Sequence, residues 1–229
     1  MSRDEIGEPR RGAVSIGDLE LRIATGFAAA LPGPAAQLIL APRPRHGWTA
    51  GVVPEGCRRG AVLLLVYPIR EEACVLLTVR DVRLPTHPGQ VSLPGGAIED
   101  GETVERAALR ESEEEVGVLP SVVRVVGTLT PLHVPVSRFV LHPVVGVADQ
   151  RPALRPRSRE VRRILEPRIV DLNGPIAIEV EQRERGGPIH EVPYLRVSGE
   201  KVWGATAMIL AEFLALVGLP PRSAAQGTP

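Results

Sequence analysis

Three glutamates set on the packing side of a helix constrain this chain more than any other feature of its sequence. They lie in the segment Gly96–Val118, GAIEDGETVERAALRESEEEVGV. At about 100° per residue, Glu111, Glu114 and Glu115 fall on one face of a helix predicted over Thr103–Val116, and that face continues the stripe of Val104, Ala107 and Ala108. Carboxylates held this close raise one another's proton affinity unless positive charge compensates them. A divalent cation meets that need. Oxygen donors favour magnesium or manganese over zinc, and magnesium commonly shares its remaining positions with phosphate oxygens, so the pattern points to phosphate chemistry. Pro94-Gly95-Gly96 removes side-chain bulk where a loop meets the helix and lets main-chain atoms approach a ligand. Arg110 stands four residues before Glu114, placed to pair with it. A glutamate run is more often a solvated face and a Gly-Gly more often a turn; the joint spacing separates this segment from both.

The rest of the chain supplies a frame for that helix. Apolar residues Ile16, Leu19, Ile23, Phe27 and Leu31 recur at helical intervals, which predicts a leading helix over 16–31 stopped by Pro32-Gly33-Pro34. A Pro/Gly-rich connector, 42–60, precedes AVLLLVYPI and CVLLTVR, read as a strand pair across Arg70-Glu71-Glu72. Residues 81–96 read as a loop. VVRVVGTLTPL and RFVLHPVVGVA follow as strands, then an Arg-rich loop and a short helix around Val161–Leu165. IAIEVEQ and HEVPYLRV flank Arg185-Gly186-Gly187-Pro188 as a hairpin, and a helix over about Ala205–Val217 ends at Gly218 and Pro220. Strands on both sides of a central helix, with helices at each end, predict a mixed sheet sandwiched by helices. The expected organisation is a flexible tail over 1–13, a single domain over 14–218 and a second flexible tail over 219–229.

Charge and composition exclude several classes. The 27 basic and 27 acidic residues cancel, which argues against nucleic acid or an anionic membrane as the main partner and leaves a small anionic substrate. Cys57 and Cys74 make neither a disulfide framework nor a zinc spacing, so a reducing cytoplasm is the expected location. No apolar run approaches a membrane span, and the amino terminus does not read as a signal peptide.

Gly96, Glu102, Arg110, Glu111, Glu114, Glu115, Gly117 and Val118 sit where the Nudix box has its fixed positions. That box reads G, five residues, E, seven residues, R-E-U-x-E-E-x-G-U, with U a bulky apolar residue. The segment thus resembles the Nudix hydrolase family; Ser112 departs from it at the first U. The resemblance implies an α/β fold, an α/β/α sandwich with a mixed central β-sheet. It implies Glu111, Glu114 and Glu115 as ligands of Mg2+ or Mn2+, with Glu111, Glu115 and Arg110 catalytic and Gly96, Glu102 and Gly117 as structural members of the box. The implied reaction is hydrolysis of a diphosphate linkage in a small-molecule substrate, through neutralisation of phosphate charge and activation of a water. Family members draw their base from the box or from a glutamate on a distant loop; Glu160 is the candidate here. Relatives often pair, which leaves room for a homodimer.

The residues before the box are similar to one branch of that family, the coenzyme A diphosphatases. Leu76, Leu77, Thr78, Arg80, Gly89, Pro94, Gly95 and Gly96 match its signature in register, and Pro143–Val147, Glu160-Val161 and Trp203–Ala207 extend the likeness. Coenzyme A or an acyl-coenzyme A would then yield 3′,5′-ADP and (acyl-)4′-phosphopantetheine. Arg80, Arg83, Gln90, Gly95 and Gly96 are the expected substrate-binding residues, with His87 in the same loop and Trp203 as a wall or core residue. His133 and His142 read as structural. Asp81, Pro85 and Leu93 depart from the signature, Pro85 at a position where the signature has an arginine that Arg83, two residues away, would replace. They keep open another nucleoside diphosphate derivative, such as ADP-ribose, or a catalytically silent nucleotide-binding module.

Overall fold

Leu63, Leu64 and Leu65 are consecutive and all fully buried, so the strand that carries them must be covered on both faces. A computed structural model, describing residues 13–45, 49, 51–173, 178–184 and 189–221, gives the arrangement. In chain order the elements are α1 (Ile16–Ala28), α2 (Gly33–Gln37), β1 (Arg58–Ile69), β2 (Glu72–Val75), β3 (Leu77–Arg80), β4 (Val91–Ser92), β5 (Gly95–Ala97) and α3 (Val104–Val116). There follow β6 (Arg124–Thr128), β7 (Leu132–Val134), β8 (Phe139–Val147), β9 (Val161–Leu165), β10 (Ile178–Glu184), β11 (Ile189–Val197), β12 (Glu200–Trp203) and α4 (Gly204–Leu216).

The central sheet runs β2-β1-β8-β6, with β5 also on β1 and β7 also on β8. β1 and β8 are parallel, Arg58 beside Phe139 through Val66 beside Val147, and the other pairings are antiparallel. The sheet is therefore mixed. Alternation along β1 divides its side chains between two cores. Ala61, Leu63, Leu65 and Tyr67 pack with Ala107, Ala108 and Val116 of α3. Val62, Leu64 and Val66 pack with Leu19 and Ile23 of α1 and Met208 and Phe213 of α4. Each buried leucine contributes about 1.5–3 kcal/mol relative to exposure. The expected α/β/α layering is what forms. Two smaller sheets, β4-β3-β9 and β10-β11-β12, stand beside it.

Helix α4 is apolar almost all round, yet carries fully buried Glu212. Its carboxylate accepts from the Gly33 amide at 3.2 Å, the Thr130 amide at 3.1 Å and Gln37 Nε2 at 2.8 Å. These bonds tie α2 and the β6–β7 turn to α4.

Several boundaries differ from expectation for identifiable reasons. The leading helix ends at Ala28 rather than Leu31, because Ala29 is extended and Leu31 precedes a proline, which disfavours the helical region. The apolar run before Arg80 breaks at Leu76: β2 pairs with β1, while β3 joins β9 and β4. Val161–Leu165 is a strand and not a helix. Val161 and Leu165 are buried while Arg162 and Arg163 are exposed, so antiparallel pairing with β3 satisfies a pattern too short to declare its period. Residues 81–96 contain β4 and the start of β5. The hairpin turn Arg185–Pro188 and the tail residues 1–12 and 222–229 lie outside the described residues. Of the C-terminal segment, Leu219 donates its amide to Leu214 O at 2.7 Å and Pro221 is buried.

Candidate active site

Thr103 starts α3: it caps the helix by accepting the Arg106 amide on its hydroxyl at 3.3 Å. Gly117 ends the helix in the left-handed region, φ 80°, and its amide bonds Glu113 O. The left-handed backbone calls for glycine, and an added Cβ would also displace the exposed Arg157 side chain, whose Nε lies 2.8 Å from that position. Ser112, at the departing box position, is fully buried and donates its hydroxyl to Ala108 O at 2.7 Å. The departure leaves no unsatisfied polar group.

Within this frame the three glutamates separate. Glu115 is buried and the Glu111 side chain is 19% exposed, whereas that of Glu114 is 61% exposed. Arg110 is the organiser. Its Nε donates to Glu102 Oε1 at 3.0 Å and its Nη1 to Glu111 Oε1 at 2.9 Å, while Nη2 reaches Glu102 Oε2 and Ala97 O at 3.1 Å each. The anticipated pairing with Glu114 also forms, as a looser ion pair at 3.6 Å. Glu102 in turn accepts the Glu99 amide, which fixes the turn before the helix. Arg110 holds the Glu102 carboxyl below its ordinary range, mainly through these hydrogen bonds.

Burial acts the other way on the inner pair. It raises Glu111, against the opposing hydrogen bond and charge of Arg110. It pushes Glu115 up to about 7; the Glu111 charge adds to this, and the Arg80 charge and a hydrogen bond from the Gly95 backbone oppose it. Two desolvated carboxylates that repel one another are a donor set suited to a hard divalent cation. Among the described residues, no three His, Cys, Asp or Glu side chains converge as a preassembled metal cluster. The inner pair is Glu111 and Glu115, with Glu114 turned towards solvent.

The glycines before the helix close the space around that pair. Gly95 has φ 156°, and a Cβ on it would fall 2.3 Å from Ala61 O, so the box loop lies directly on β1. A Cβ on Gly96 would fall 2.4 Å from the Glu111 carboxyl carbon. Both glycines face a cleft of about 890 Å³, within the range of small-molecule sites. Arg80, His87, Gln90, Glu160 and Trp203 also line it. Arg80 Nη2 donates to Glu160 Oε2 at 3.2 Å, and His87 Nδ1 pairs with Gln90 Oε1 at 3.0 Å. The Arg-rich loop docks on the end of α3, where the Arg157 amide donates to Glu115 O at 2.8 Å and the Arg155 amide to Val116 O at 3.0 Å. The Ser158 amide also reaches Glu115 O at 3.4 Å and its hydroxyl accepts the Glu160 amide at 3.1 Å, so the loop backbone ties Glu160 to the end of α3.

Arg83 does not reach the cleft. Asp81 captures it through Nε at 2.8 Å and Nη2 at 2.9 Å, and its side chain is 82% exposed. This pairing lowers Asp81 to about 2. His133 and His142 lie outside the cleft lining, and burial lowers both. Trp203 is a wall residue, with the Arg183 guanidinium 4.1 Å above its ring. Sequence reasoning passed over Arg45, Arg58, Phe139, Arg183 and His190, all in the cleft lining. One signal was available for the hairpin alone, since Arg183 and His190 are partners across it, whereas Arg58 meets Phe139 through a long-range parallel pairing.

A family model described as NUDIX domain matches residues 58–178. The Nudix hydrolase NudL of Escherichia coli, itself described as uncharacterized, is 35% identical over 167 residues, covering 71% of this chain and 85% of its own. Among solved structures, the Mycobacterium smegmatis Nudix hydrolase RenU is 25% identical with a TM-score of 0.44, covering 50% of this chain and 73% of its own. A MutT/nudix family protein from Enterococcus faecalis is 17% identical with a TM-score of 0.48, covering 90% of this chain and 75% of its own.

Proposed function

The chain belongs to the NUDIX domain family, and on that premise we propose that it hydrolyses the diphosphate linkage of coenzyme A or an acyl-coenzyme A. The products are 3′,5′-ADP and (acyl-)4′-phosphopantetheine. The family supports hydrolysis of nucleoside diphosphate derivatives, generally with divalent ions such as Mg2+ or Mn2+. The observation that carries the reading is the junction at Gly96, where the cleft wall and the Glu111 carboxylate meet with no side chain between them.

Glu111, Glu114 and Glu115 are the residues that would hold the cation, and the repulsion between half-buried Glu111 and buried Glu115 supports that assignment. When bound, the cation supplies charge neutralisation at the diphosphate and a more acidic water. Arg110 positions Glu111 by its grip on both Glu111 and Glu102. Main-chain groups of Gly95 and Gly96 border the substrate. Arg80 binds a phosphate oxygen in this reading, which loosens its bond to Glu160 and frees that carboxylate to take a proton from the attacking water. Gln90 and His87 form the adjoining wall.

Purified protein with Mg2+ or Mn2+ is expected to release 3′,5′-ADP from coenzyme A, with products identified by mass and Glu115→Gln as control. Release no greater than that control refutes the reading. One observation favours a different nucleoside diphosphate derivative, ADP-ribose among them: Arg83, the nearest basic residue to the arginine that Pro85 replaces, is held by Asp81 outside the cleft. The same assay with ADP-ribose separates the two.

A further inference from the structure

The cleft extends beyond the box along β1. Arg58, Gly60 and Val62 alternate onto one face of that strand, and their parallel neighbours Phe139, Leu141 and Pro143 share it. Gly60 has no side chain to lift them. A Cβ there would stand 3.0 Å from Gly96 O, 3.2 Å from Leu141 Cδ2 and 3.3 Å from Phe139 Cδ1. Leu141 and Phe139 therefore lie across β1 up to the box loop, and with Val62 they make an apolar floor that starts at Gly96. Arg58 stands at its far end, its guanidinium 4.2 Å over the Phe139 ring. Gly96 is opposite Ala61, so Arg58 is three residues further along the strand, about 10 Å from the box glycine at about 3.3 Å per residue.

Arg58 also differs from the other arginines of the cleft in its engagement. Arg80 is bound to Glu160, Arg183 to Glu181, and Arg45 to Met208 Sδ and His133 O. Among the described residues Arg58 has no carboxylate partner, only the ring beneath it. A guanidinium seated over an aromatic face, which accepts no hydrogen bond in the plane of its fork, keeps N–H donors available, and that fork matches a phosphate monoester in two-point geometry.

We propose that Arg58, stacked on Phe139, is a specificity-determining residue that binds a second, monoester phosphate on the substrate, across the apolar floor from the diphosphate at the box. The class selected is a nucleoside diphosphate derivative whose nucleoside end carries an additional phosphate. This rests on the reading of the cleft as the substrate site, and it names the contact that coenzyme A offers and an unphosphorylated analogue lacks.

The test uses the full chain as wild type, Arg58→Gln, which keeps the stem over Phe139 but removes the charge, and Arg58→Lys, which keeps the charge but not the fork. Thermal melts check folding, and calorimetry measures binding of 5′-AMP and 3′,5′-ADP. Wild type is expected to prefer 3′,5′-ADP by about 10- to 100-fold, the range for one charge-assisted contact. Arg58→Gln is expected to abolish that preference with 5′-AMP affinity unchanged, and Arg58→Lys to retain part of it. No preference in wild type, a preference that survives Arg58→Gln, or equal weakening of both ligands each overturns the proposal. Turnover of coenzyme A and dephospho-coenzyme A with Mg2+ is measured alongside, and the effect of Arg58→Gln is expected in KM for coenzyme A and not in kcat. A protein that refuses coenzyme A yet shows the Arg58-dependent preference overturns the coenzyme A reading and leaves the Arg58 assignment standing. Coenzyme A turnover without that preference does the reverse.

Discussion

Replacing Gly96 with alanine perturbs the site where it is tightest. The new methyl would stand 2.4 Å from the Glu111 carboxyl carbon and Oε1 and 2.6 Å from Oε2, whereas ordinary contact begins near 3.4 Å. The carboxylate or the loop must retreat by about 1 Å. The backbone raises no objection, since Gly96 is not among the glycines with positive φ. The effect should therefore fall on geometry and not on folding. A misplacement of about 1 Å at a reacting centre costs about 100-fold in rate, equivalent to about 2.7 kcal/mol of activation free energy. Gly96→Ala is expected to lower kcat on the diphosphate substrate by about that factor at saturating Mg2+, to weaken apparent metal affinity and to leave the melting temperature near wild type. A folded variant that turns over at the wild-type rate would refute both the crowding of Glu111 against Gly96 and the role given to that carboxylate.

Other expectations follow from the same structure. Glu212→Ala strands the Gly33 and Thr130 amides and leaves Gln37 Nε2 only its bond to Thr130 O, and should cost about 2–4 kcal/mol in urea unfolding; a loss under 1 kcal/mol contradicts the network. Gly117→Ala combines a left-handed φ with a Cβ 2.8 Å from Arg157, and should destabilise by at least about 1 kcal/mol, visible as a lower denaturant midpoint. For Glu166, burial raises the carboxyl, but the hydrogen bonds and charge of Arg151 and the hydrogen bond of Tyr67 outweigh it, so its folded pKa lies below the ordinary 4.5. Its contribution is then fully present above 4.5 and lost as pH falls through the lower folded value. Glu166→Gln should flatten stability in that acid window only, and an unchanged pH profile counts against the assignment.

The site was legible where chemistry repeats at helical spacing. Thr103, Glu102, Arg110, Glu111 and Gly117 can each be placed from the sequence because one helix and its two caps fix them. The separation of Glu114 from the inner pair was not legible, since all three glutamates share a helical face and only the packing of α3 on β1 decides which of them is covered. Arg83 was misdirected by proximity: its distance along the chain from the expected arginine is small, but Asp81 turns it outwards. Arg58, Phe139 and Arg183 come from strands whose faces meet only after long-range pairing, so no local window displays them together. The helix expected at Val161–Leu165 failed for the same reason, because its true partner β3 lies far away in sequence.

The parallel pairing of Arg58–Val66 with Phe139–Val147 has a consequence for how the protein comes to exist. The box helix lies in the connection between those two strands, so the chain must close that long loop before the central sheet can form. On the ribosome, every residue of the Nudix box emerges before β8, and β9 with Glu160 later still. A nascent chain halted before Phe139 carries the full box yet lacks the strand that pairs with β1 and the residues that make the floor ending at Arg58. Catalytic competence should therefore appear late and abruptly in synthesis, only once the residues from Phe139 onward have been released.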